Sequence, residues 1–139
     1  MRLARMEING FDAIDTQLSQ LGRPMIRRIV EAGARADDDE WRKNIKLGGH
    51  IRSGDMYNSV GPSAYREFMG GGEISVYPQG NDRKGVANAM KAYVINYGRG
   101  KRTAKMGDKF ITGKEAQTEE AVFKAMQAES DRIIDEINR

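Results

Sequence analysis

The stretch Val60-Gly61-Pro62-Ser63-Ala64-Tyr65-Arg66-Glu67-Phe68-Met69-Gly70-Gly71-Gly72-Glu73-Ile74-Ser75-Val76-Tyr77-Pro78 decides the fold class. Residues 60–69 read as a strand with Pro62 confined to its start, because proline lacks the N–H that a ladder needs. Gly70-Gly71-Gly72 permits a reversal. Residues 73–78 then alternate, with Ile74 and Val76 on one face. The two halves predict a β-hairpin, so the chain is not all-helical.

Helical periodicity surrounds this hairpin. Pro24 fits the first turn of a helix reaching about Lys46, with Ile26, Ile29, Val30, Gly33, Trp41 and Ile45 near one face. Gly48-Gly49 ends it. Ser53 is a good N-cap for a short helix over 54–59, and Asp55 lies where the helix dipole favours an anion. Downstream, Val86, Met90, Tyr93, Val94 and Tyr97 recur at three- and four-residue spacing, which predicts a helix that Gly98 stops. Thr112-Gly113-Lys114-Glu115 matches a capping box. The final helix after it carries Val122, Phe123, Met126, Ile133, Ile134 and Ile137 as its expected buried stripe. Before all this, residues 5–11 suit a short edge strand, and Asp12 can cap a short helix with Ile14, Leu18 and Leu21 on one face. The expectation is one α+β domain over 1–139: a small, mostly antiparallel sheet packed against two long helices, about 24–46 and 113–138.

At 139 residues the chain fits a single core, but Leu, Ile, Val and Phe number only 4, 12, 6 and 4. A core this thin points to support from neighbouring subunits. The absence of cysteine excludes disulfides, thiolate metal sites and cysteine nucleophiles. No run of apolar residues is long enough to span a membrane, and the N-terminus lacks the apolar stretch of a signal peptide. The formal net charge of +3 hides an asymmetry. Residues 83–114 carry nine basic side chains against Asp108 alone, whereas residues 115–139 carry three basic and seven acidic ones. The middle of the chain is basic and the last helix is acidic.

The candidate chemistry is sparse. His50, the single histidine, would need an orienting carboxylate such as Asp55 to act as a base, and it reads better as an exposed loop residue beside two glycines. Asp37-Asp38-Asp39-Glu40 lacks the alternation of a calcium loop, and consecutive helical residues point about 100° apart, so the run reads as a solvated face. Gly98-Arg99-Gly100-Lys101-Arg102 fails both the Walker and the dinucleotide patterns and reads as a solvated interaction loop. No serine sits in a nucleophile-elbow context. Tyr93 and Tyr97, four apart, are core or interface aromatics. No catalytic residue, metal ligand or cofactor-binding residue is assigned, and no cofactor is expected.

Taken in order, these pieces resemble the small tail-component family that includes the tail-completion (neck) proteins of lambda-like, long-tailed phages. Arg52-Ser53-Gly54-Asp55-Met56-Tyr57-Asn58-Ser59-Val60 looks like its Thr/Ser-Gly-x-Leu-x-x-Ser-Ile/Val signature. Ala92-Tyr93-Val94-Ile95-Asn96-Tyr97-Gly98 looks like its Ala-x-Tyr/Val-Val-Glu-Phe-Gly signature, with Asn96 in place of the usual Glu. Lys109-Phe110-Ile111 resembles the Pro-Phe-Leu before the last helix, with Lys109 in place of Pro and, upstream, Met56 in place of Leu.

The resemblance implies a structural virion protein of the head–tail junction or tail end, from a phage or prophage. Such a protein is not an enzyme and acts by assembling into a homo-oligomeric ring. Its partners would be copies of itself and neighbouring connector or tail proteins, with incidental DNA contact and no membrane. It would assemble in the host bacterial cytoplasm. Ser53, Gly54, Tyr93 and Gly98 would set fold geometry, and Arg99, Lys101, Arg102 and Lys105 would form a contact loop. A head-to-tail ring needs two different complementary surfaces, which the basic stretch 83–114 and the acidic last helix are placed to supply. The alternative is a small nucleic-acid-binding module using the cations of 83–109.

Overall fold

The computed structural model describes residues 22–50, 53–69, 71–98 and 109–139. The strand expected over 5–11, the helix expected after Asp12, and Arg99, Lys101, Arg102 and Lys105 lie outside the described residues. Helix α1 spans Arg23–Leu47 and α2 Asp55–Ser59. Strands β1 (Val60–Pro62), β2 (Arg66–Phe68), β3 (Gly71–Glu73) and β4 (Val76–Pro78) follow. Helix α3 is Asn88–Tyr97, and a 3-10 turn at Thr112–Lys114 leads into α4, Glu115–Ile137. The architecture is α+β: α1 and α4 pack together, and the antiparallel strands pack on α1.

The pair α1–α4 is apolar inside and clamped by charge at its margin. Ile29, Val30, Ala34, Trp41 and Ile45 of α1 meet Val122, Met126 and Ile133 of α4 in one buried cluster. Arg28 reaches across from α1, donating from Nη2 to Glu129 Oε1 at 2.8 Å and from Nη1 to Glu136 Oε2 at 2.9 Å. Arg132 adds a 2.7 Å bond to the other oxygen of Glu129. Glu129 is itself buried, so two guanidinium groups supply what water would otherwise give its carboxylate. The expected stripe of α4 is therefore corrected. Glu129 and Ser130 are buried, whereas Phe123 and Ile137 are 39% and 54% exposed.

The hairpin forms, but its strands are each broken in two. Val60 pairs with Pro78 and Pro62 with Val76, whereas Arg66 pairs with Glu73 and Phe68 with Gly71. Three residues, Ser63 to Tyr65, therefore face two, Ile74 and Ser75, which makes a β-bulge. Ser63 holds the bulge closed. Its N–H donates to the Ser75 carbonyl at 2.7 Å, and its hydroxyl oxygen accepts the Ser75 N–H at 2.9 Å. Pro62 thus ends β1 and does not open a long strand.

Two of the three glycines belong to a strand, not to the reversal. Phe68 pairs with Gly71, so the chain turns between them and Gly71-Gly72 lie in β3, both buried. Aromatic rings from β2 and the bulge occupy the space their side chains would fill. A Cβ on Gly71 would stand 3.3 Å from the Phe68 ring, and one on Gly72 would overlap the Tyr65 ring and hydroxyl. Tyr65 in turn carries the Arg27 guanidinium over its face at 5.2 Å, which ties the hairpin to α1. A second tie is Arg42 of α1, which donates to the Val60 carbonyl at 2.7 Å while paired with Asp38.

The glycine requirement gives a direct test. Gly72→Ala is expected to cost about 1–3 kcal/mol through overpacking against Tyr65. In a Tyr65→Ala background the same substitution should cost much less. Urea unfolding of the two single variants and the double variant measures the difference.

Candidate functional site

Helix α3 presents the candidate surface. Its approach is a tight turn organised by Asp82. One carboxylate oxygen accepts the N–H groups of Lys84 and Val86, both at 2.9 Å, and the other pairs with Lys91 Nζ at 3.0 Å. These bonds, led by the Val86 N–H, hold the Asp82 carboxyl below its usual range. Arg83 docks the turn on the start of α2, donating to Asp55 at 3.1 Å and to the Ser53 carbonyl at 2.9 Å. Residues 78–89 are thus knitted to the base of the hairpin.

The helix that follows is inside out by hydropathy. Its buried residues are Asn88, Ala92 and Asn96, one four-residue row. Asn88 donates its side-chain amide to the Gln79 carbonyl at 2.9 Å and its N–H to the Gly80 carbonyl at 3.0 Å. Asn96 is fully buried. Its side-chain oxygen accepts the N–H groups of Ile111 at 3.0 Å and Thr112 at 3.1 Å, and its carbonyl accepts that of Lys109 at 3.2 Å. Those N–H groups open the final helical segment and have no carbonyl of their own to reach. The expected capping box is corrected accordingly. Thr112 does not cap the last helix, and a side chain from α3 serves the N–H groups in its place.

The opposite face of α3 carries the apolar residues. Val86 just before it, then Met90, Tyr93 and Tyr97, are 45%, 51%, 38% and 53% exposed. The two tyrosine rings lie 4.8 Å apart, tilted against each other. The periodicity was sufficient to identify a helix and insufficient to say which face is inside. Tyr93 lies at the surface, not in the core. The remaining signature positions are turn elements. Gly54 is the N-cap of α2 at φ 77°, and Gly98 closes α3 at φ 88°, both in the region that favours glycine. Ser53 stands one residue before the cap, with its hydroxyl accepting the Asp55 N–H at 3.3 Å.

Two other expectations change. His50 is half-buried, not on an open loop. Its ring folds over Gly48 and lies 5.2 Å from the Phe110 ring, which also meets Trp41 edge-on at 6.1 Å. Asp37 does not belong to a solvated face. It is 4% exposed, on the same row of α1 as Gly33 and Trp41. Burial, reinforced by Asp38 and Glu40, pushes its carboxyl from the usual 3.8 up to about 7. Among the described residues, no three of His, Asp and Glu gather to hold a metal ion, and no helix is long and apolar enough to cross a membrane. Comparison with protein-family models, with curated proteins and with solved structures finds no match to this chain.

Two variants probe this arrangement. Asn96→Leu should cost about 1–3 kcal/mol, because it strands the N–H groups of Ile111 and Thr112, and the loss should appear as faster amide exchange at 111–114. For Asp37, the folded-state value lies above the unfolded one. Its contribution is therefore fully present below about pH 4 and is lost as pH rises through about 7. The protein should gain stability on acidification from pH 8 to 6, and Asp37→Asn should flatten that slope and raise the melting temperature at pH 8. Thermal melts across that range measure both.

Proposed function

We propose that this chain is a structural protein that works by assembling with copies of itself into a ring. Its place would be the head–tail junction or tail end of a phage or prophage particle. One observation carries the reading. Among the described residues, nine large hydrophobic side chains are exposed while seven polar or charged ones are buried. In a closed assembly, neighbours cover exposed apolar surface of this kind, and on α3 three of these side chains, Met90, Tyr93 and Tyr97, are adjacent. The order of the signature segments supports the virion setting, and the two glycines with positive φ at Gly54 and Gly98 fit their role as turn positions.

The charge distribution also allows a competing reading as a nucleic-acid-binding module. Part of that charge is already used inside the subunit, since Arg83 pairs with Asp55 and Lys91 with Asp82. The exposed apolar stripe Met90, Tyr93 and Tyr97, which binding to a phosphate backbone does not call for, favours the assembly reading.

Mass measurement in solution across concentration separates the two readings. Assembly predicts a rise from monomer to one discrete closed oligomer, and charge reversal of Lys101, Arg102 and Lys105 should shift that rise to higher concentration. A monomer at every concentration that binds non-specific duplex, with affinity falling steeply as salt rises, would contradict it.

A further inference from the structure

We draw no further inference here: the strongest candidate, the groove of about 430 Å³ between the start of α1 and the β2–β3 turn, is lined by Arg23, Ile26, Glu67, Phe68, Met69 and Gly71, and nothing in the structure shows what covers it.

Discussion

The side chain of Asn96 is the constraint on which the rest of this structure depends. The segment entering the final helix has backbone N–H groups with no helical acceptor, and burial makes an unmet donor costly. Asn96 meets two of them with one oxygen atom and a third with its own carbonyl. This fixes which face of α3 points inward. Once Asn88, Ala92 and Asn96 are inside, the four-residue geometry of the helix puts Met90, Tyr93 and Tyr97 outside. The exposed apolar stripe follows from satisfying the backbone and is not a failure of packing.

The same logic recurs elsewhere in the molecule. Glu129 is buried because Arg28 and Arg132 surround it. Gly72 is a glycine because the Tyr65 ring occupies the place of its side chain. Asp37 is the exception, a carboxyl taken inside the α1 row with its charged form disfavoured. With few aliphatic residues to spend, the fold relies on aromatic-over-glycine packing, arginine clamps and a side-chain cap to position short elements. Trp41, Phe110 and His50 add a cluster of rings that fastens the entry of the last helix to α1.

Much of the fold was legible in the sequence. The long helices followed from apolar periodicity and glycine stops, and the hairpin from alternation around Ile74 and Val76. What escaped has physical causes. The bulge at Ser63 to Tyr65 depends on a hydroxyl standing in for a backbone acceptor, and no periodicity records that. The burial of Gly71-Gly72 depends on rings contributed from across the hairpin. Thr112 matched a local capping pattern, but the acceptor came from sixteen residues upstream. Polar residues inside α3 and apolar ones outside reversed the usual rule, so the spacing located the helix and not its orientation. Asn96 stood out as a departure from the signature, and that departure was the available clue to its role.

The hairpin, the Asp82 turn and the Asn96 cap hold α3 with its apolar face turned outward. The most direct measurement is photo-cross-linking from a benzoylphenylalanine placed at Tyr93 in the otherwise unaltered chain, followed by mass spectrometry of the linked peptides. Assembly through the outward face of α3 predicts a bond from position 93 of one copy to a second copy. A link confined to one chain, or to a nucleic acid added to the sample, would contradict it.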